Sequence, residues 1–373
     1  MLHLPTSKKR VSLAMLHTAL LFALITAQLC ITITYKCNGN PIPEFPAILV
    51  FGDSSVDTGN NNYIITPFKG DHPPYGLDFP GSLPTGRFSN GKLVPDILAA
   101  MMGLKETIPP YLDPYLSEQD MVTGVSFASA GSGYDDLTTS LSHVIPMSKQ
   151  PGYLKHYIRR LEGIVGEKEV ARILGSALVI VSAGTNDFIF NFYDVPTRRI
   201  QFTIDEYQDF LQKQLQNLVK ELYHLGCRRM VVSGLPPVGC LPIQMTAKSP
   251  VLRSCSHKEN ADAKSYNDKL EKLLPQIEAE LLGSKILYVD TYNPLLDMIN
   301  NPTKYQFVET RRGCCGTGLL EAGPLCTRST PVCPNPSGYL FWDSIHPTES
   351  AYTILSQKLA DLLLHEFPVT RTQ

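Results

Sequence analysis

The 373-residue chain has almost no net charge, a single tryptophan and no basic run longer than Lys8-Lys9-Arg10. Thirty-three Lys and Arg against 35 Asp and Glu leave a formal charge of −2. That balance gives no electrostatic footprint for a polyanion, so nucleic acid is not expected as a partner. The sequence contains no C-x-x-C and no H-E-x-x-H, so zinc lacks its ligand spacings, and neither a metal nor a cofactor is expected. N-linked sugar is not expected either: Asn301-Pro302-Thr303 and Asn335-Pro336-Ser337 are the nearest approaches to an acceptor triplet, and proline blocks both. There is no G-x-S-x-G, which argues against the strained nucleophile elbow of one large hydrolase class. With 43% hydrophobic and only 18% charged residues, long disorder and coiled coil are excluded too.

What is present begins with a secretory signal. Lys8-Lys9-Arg10 precedes the apolar stretch 11–34, the n-region and h-region of a signal peptide over residues 1–34. A largely apolar stretch of 24 residues could span a bilayer, which takes about 20. His17, Thr18, Thr26 and Gln28 dilute the stretch, so cleavage between about Ala27 and Gly39 is expected, leaving no membrane span and an extracellular protein. The nine cysteines fit an oxidising compartment.

After Pro46 the chain alternates strand-like and helix-like segments. Residues 47–51 (AILVF), 125–130 (VSFASA), 177–182 (ALVIVS), 229–233 (RMVVS) and 285–290 (KILYVD) are short apolar runs ending in small or acidic residues, as buried parallel strands do. Between them, apolar residues from Ile204 to Leu225 and from Tyr266 to Leu281 recur at steps of three and four, and a last stripe predicts a helix over about 348–365. The alternation predicts one three-layer α/β/α domain over residues 46–366, with a five-stranded, mostly parallel, doubly wound sheet and ligands at the carboxyl ends of its strands. Two stretches break the rhythm. Residues 64–91 hold five prolines and five glycines and are too long for a passive connection, so they should cover something. Residues 311–338 hold four cysteines, and disulfides are expected to replace regular structure there.

The first strand runs into FGDSSVDTGNNN, residues 51–62. A serine just past the carboxyl end of a buried strand stands where such sheets present reactive groups, which makes Ser54 a candidate nucleophile. A turn, a helix cap or a calcium loop are the alternatives; the last fails, because the sixth and twelfth positions from Asp53 are Thr58 and Ile64. A serine needs a base, and the base needs an orienting carboxylate. FWDSIHPTES, residues 341–350, places Asp343 three residues before His346, a spacing that lets a turn set the carboxylate beside Nδ1 and leave Nε2 free. Pro347 biases His346 to extended backbone and suits the opening of the last helix. Alone, that stretch would more often be a capping Asp beside a surface His. Donors for an oxyanion are offered by Asn186 in GTND, after the third strand-like run, and by SAGSG (129–133) after the second.

Taken in order, these segments resemble the plant-type GDSL esterase/lipase family of the SGNH-hydrolase superfamily, and the likeness extends over about residues 46–366. PPYGLDFPGSLPTGRFSNG (73–91) shares it. One departure is Ser126, where the second block more often carries asparagine. The resemblance implies an SGNH-type, flavodoxin-like fold and ester hydrolysis through an acyl-serine. Its residues fall on Ser54 as nucleophile, His346 as general base and acid and Asp343 orienting it, with Gly131 and Asn186 in the oxyanion hole. Partners would be small-molecule or polymer esters: lipid, cutin-like polyester or acetylated polysaccharide. Acyl transfer to a hydroxyl acceptor would use the same triad, and a non-catalytic extracellular binding protein on this scaffold is the other alternative; every catalytic position is nevertheless filled. Trp342, beside Asp343, reads as core packing.

Of the cysteines beyond the signal, Cys227 lies between a helix end and a buried strand, where a thiol serves as a small apolar residue. Cys240 and Cys255 flank one loop and should pair. Adjacent Cys314 and Cys315 should each reach forward to Cys326 or Cys333, in an order the sequence leaves open.

Overall fold

The computed structural model describes residues 44–140 and 142–367. The signal segment and its cleavage site lie outside the described residues. Four five-residue strands, β1 (Ile48–Gly52), β2 (Leu178–Ser182), β3 (Arg229–Ser233) and β4 (Lys285–Val289), form a parallel sheet in that order. Their apolar residues alternate between two buried faces. Leu49, Phe51, Val179, Val181, Met230 and Val232 pack under helices Gln150–Val165, Glu167–Ser176, Ile204–His224 and His257–Glu280. Ile48, Val50, Ile180, Val231 and Leu287 pack under Val94–Met101 and the closing helix, Glu349–Glu366. The result is the three-layer α/β/α arrangement that near-continuous apolar strands require.

The expected fifth strand, 125–130, is a correction in detail. It runs beside β1, with Val50 N–H donating to Val125 O and Phe127 N–H to Val50 O, but it registers only as isolated bridges. Its other edge is engaged by residues 109–111, since Ser126 N–H donates to Pro109 O and Tyr111 N–H to Ser126 O. With Ser129 N–H also donating to Gly52 O, the segment occupies the place of a fifth strand beside β1 without the continuous bridge pattern of one.

Residues 311–338 carry more backbone pairing than expected. β5 (Glu309–Gly313) and β6 (Tyr339–Phe341) form a small parallel sheet, and two bridges, Cys314–Cys333 and Cys315–Cys326, hold the intervening loop. Cys240 pairs with Cys255, and Cys227 is free and buried. The closing helix starts at Glu349, capped by Thr348, rather than at Pro347.

Candidate active site

Ser54, Asn186 and His346 line one cavity of about 600 Å³ at the carboxyl ends of β1 and β2. Ser54 Oγ lies 2.8 Å from His346 Nε2, and His346 Nδ1 lies 2.8 Å from Asp343 Oδ2 and 2.9 Å from Oδ1. The three residues are buried, and Asp343 is fully enclosed.

The turn that holds Asp343 and His346 is built by its own backbone. Asp343 Oδ1 accepts the N–H groups of Ile345 and His346, both at 2.8 Å, and Trp342 N–H donates to His346 O at 2.7 Å. The disulfide loop grips the same turn: Cys314 N–H donates to Phe341 O, Cys315 N–H to Trp342 O and Ser344 N–H to Glu321 O. Trp342 is wholly buried with Tyr75, Phe88 and three of the bridged cysteines, so it packs and does not line the cavity.

Tyr75 is a member of this constellation that sequence reasoning missed. Its hydroxyl donates to Asp343 Oδ2 at 2.7 Å and accepts the Gly323 N–H at 2.7 Å. Burial and the neighbouring Asp343 carboxylate push that hydroxyl well above its ordinary pKa, so it stays a proton donor. The covering role expected of residues 64–91 is thereby located. Tyr75 holds the carboxylate, and Phe88 lies against the imidazole at 5.1 Å between ring centres.

On the donor side, Gly131 stands in a turn anchored to the first strand. Ser129 N–H and Ser132 Oγ both donate to Gly52 O, at 3.0 and 2.9 Å. Gly131 has φ +88°, a conformation that favours glycine, and its Cα faces Phe68 and not the cavity. Among the described residues neither the Ser54 N–H nor the Gly131 N–H has a hydrogen-bond acceptor. Asn186 Nδ2 donates to Ser132 O at 2.8 Å, tying the two donor loops together. Asp187 strengthens the tie by accepting Tyr134 N–H at 2.8 Å and Asp135 N–H at 3.1 Å, and a Cβ on Gly133 would stand 2.2 Å from its carboxylate. Burial raises Asp187 to about 7, against the pull of those donors. A π-helix, Asp187–Tyr193, follows Asn186 directly, a form often found beside functional groups.

The departure at Ser126 is compensated locally. Ser126 Oγ donates to Val56 O at 3.1 Å, while Asn60 Nδ2 donates to both Ser126 O and Ala128 O at 2.8 Å. An asparagine from the first block thus ties down the second-block backbone.

The family model for GDSL-like lipase/acylhydrolase matches residues 48–359. The chain belongs to that family. Among its GDSL relatives in Arabidopsis thaliana, GDSL esterase/lipase At2g30310 is 56% identical over 339 residues, 90% of this chain and 94% of the relative. GDSL esterase/lipase At2g31550, from the same plant, is 54% identical over 346 residues, 92% of this chain and 96% of the relative. Among solved structures, Axe2, an acetylxylan esterase from Geobacillus stearothermophilus, aligns at a TM-score of 0.39 and 16% identity over 90% of this chain and 100% of that chain.

Proposed function

We propose that this carboxylic ester hydrolase works through an acyl-Ser54 intermediate. The observation that carries the reading is the unbroken chain Ser54 Oγ–His346 Nε2, His346 Nδ1–Asp343, with both links at 2.8 Å. Ser54 Oγ attacks the ester carbonyl as its proton passes to Nε2, and the imidazolium that forms is held by the Asp343 carboxylate at Nδ1. The oxyanion is taken by the free N–H groups of Ser54 and Gly131 and by the Asn186 amide. His346 then returns the proton to the departing alkoxide, and a water activated by the same nitrogen releases the acid and restores Ser54. Tyr75 and the two backbone amides on Oδ1 keep Asp343 aligned with Nδ1 throughout.

Secretion is part of the same proposal. Its support is the set of three disulfides, which form and persist in oxidising compartments.

Ser54→Ala, measured with p-nitrophenyl butyrate, should lose at least about 10³ in turnover while its thermal unfolding stays near wild type. A fluorophosphonate probe should label the wild-type chain at Ser54 alone. Labelling at Ser55, or undiminished turnover by the variant, would sink the acyl-serine mechanism.

A further inference from the structure

The cavity that holds Ser54 continues between the sheet and the closing helix, and the strand register explains why space is left there. One row across the sheet is filled by Val50, Ile180, Val231 and Leu287, paired neighbour to neighbour. The next row toward the carboxyl ends sets Gly52 beside Ser182 and Ser233 beside Val289. Residues two apart on a strand share a face, so this second row points the same way, and three of its four positions carry glycine or serine. At Gly52 that volume is taken by Val56, whose Cγ2 a Cβ there would meet at 2.6 Å, but Ser182 and Ser233 both line the cavity and leave theirs open. Exposure rises across the sheet from 0% at Val50 to 8% at Leu287 and Val289, so the opening widens toward β4. The helices that pack over this face are Val94–Met101 and the closing helix.

The opposite wall is one stripe of the closing helix: Tyr352, Leu355, Leu359 and Leu362, at steps of three, four and three. All four line the cavity that also contains Ser54 and His346. At 1.5 Å per residue the stripe is about 15 Å long, and it begins six residues after His346. The floor needs no water to satisfy it at Ser182, whose hydroxyl is already bonded to Ser55 Oγ at 3.0 Å. Charged side chains, Lys264, Asp268, Glu271 and Asp290 on the β4 side and the exposed Lys358 on the closing helix, border the cavity where it meets solvent.

We propose that this groove holds the acyl chain of the ester, with the carbonyl at Ser54 and the tail running along the closing helix, so that the enzyme selects medium-chain acyl esters over acetate. The assignment rests on the acyl-serine reading, and the occupant is argued from continuity: a trough open to the nucleophile at one end and lined by leucine and valine is filled from water by a hydrocarbon. Full burial favours each methylene roughly fourfold, and a groove open along one side should recover about half of that free energy, about twofold per methylene.

The test compares kcat/KM for p-nitrophenyl acetate, butyrate, octanoate and decanoate. Wild type should favour octanoate over acetate by roughly 60-fold, six methylenes at about twofold each. Two variants narrow the groove without touching the triad or the oxyanion donors. Ser233→Leu fills the open row, and Leu355→Trp thickens the half-buried helix wall. Each should keep acetate turnover within about twofold and lose about tenfold on octanoate, with circular dichroism melting reporting that it folds. A flat wild-type profile, with acetate and octanoate turned over alike, overturns the groove assignment and leaves ester hydrolysis standing. A wild-type preference for octanoate that survives in both folded variants overturns it as well, because the chain then lies elsewhere. Absence of turnover on every ester would instead remove the acyl-serine reading on which the groove depends.

Discussion

Replacing Tyr75 by phenylalanine keeps a ring among Phe88 and Trp342 and deletes one oxygen that serves two buried partners. Gly323 N–H loses its acceptor and Asp343 Oδ2 loses one of its two donors. A buried group left unsatisfied costs about 1–3 kcal/mol, so the pair should cost about 3 kcal/mol. At roughly 2 °C per kcal/mol for a chain of this size, the melting temperature should fall by about 6 °C. Turnover should suffer separately. Asp343 keeps His346 Nδ1 and the two amides on Oδ1, so the carboxylate remains in the site but is free to rotate about the bond that Tyr75 fixed. A tenfold fall in kcat, about 1.4 kcal/mol, is the expected result. KM should move little, because Tyr75 does not line the cavity. The assay is kcat and KM on p-nitrophenyl butyrate well below the melting range, normalised to active sites titrated with fluorophosphonate. Tyr75→Leu serves as the comparison: it should melt lower still, through loss of ring packing, yet show about the same kcat per active site. If Tyr75→Phe retains kcat per active site within twofold of wild type, the hydrogen bond is structural only, and the claim that it aligns the carboxylate is wrong.

Other outcomes follow from the same geometry. Asn186→Ala should lower kcat by roughly 10² to 10³ with a much smaller change in KM, since an oxyanion donor acts mainly in the transition state; a loss under about threefold would take Asn186 out of that role. Reducing the disulfides should abolish activity before far-UV circular dichroism reports global unfolding, because the Cys315–Cys326 bridge encloses Gly323, whose N–H is bonded to Tyr75. Fluorescence of Trp342, the single tryptophan, should change with the activity, and coincidence of all three signals would refute this role of the disulfides. Cys227, wholly buried and with its thiol pushed up to about 12 by burial, should resist iodoacetamide at pH 8 in the native protein and react only on unfolding; rapid native alkylation would contradict its place in the core.

The strands were legible because both faces of the sheet are buried. Runs such as 177–182 and 229–233 are apolar throughout their interiors, with polar residues only at their ends, and neither reading register nor chain length is needed to see them. Helix Ile204–His224 was legible for the complementary reason, a single apolar stripe with polar residues elsewhere. Where the reading fell short, the local signal was ambiguous. The run 125–130 has a strand's composition and pairs with β1 from Val125 to Ser129, yet it is engaged on its other edge by residues 109–111, a contact between segments that no window of sequence contains. β5 reads ETRRG, with two exposed arginines, and becomes a strand only because β6 and the disulfide loop are brought beside it.

The site shows the same division more sharply. Ser54, Asn186, Asp343 and His346 could be proposed from sequence because each sits in a short segment whose chemistry is local: a strand end, a tight loop, a carboxylate three residues from an imidazole. Tyr75 could not, since a tyrosine in a proline-rich loop has no local feature that distinguishes a surface ring from one whose hydroxyl lies 2.7 Å from a carboxylate 268 positions later. The order of the disulfides was open for a related reason. Cys314 and Cys315 are adjacent, and each reaches the cysteine that the fold brings to its side. Which of Cys326 and Cys333 that is depends on the path of the loop, and the loop's path is set by Cys333 N–H donating to Cys314 O while Gly323 closes on Tyr75. The pairing 314 with 333 and 315 with 326 is therefore a consequence of the same contacts that hold the triad carboxylate. Oxidative folding of this loop and alignment of Asp343 are accordingly one structural problem.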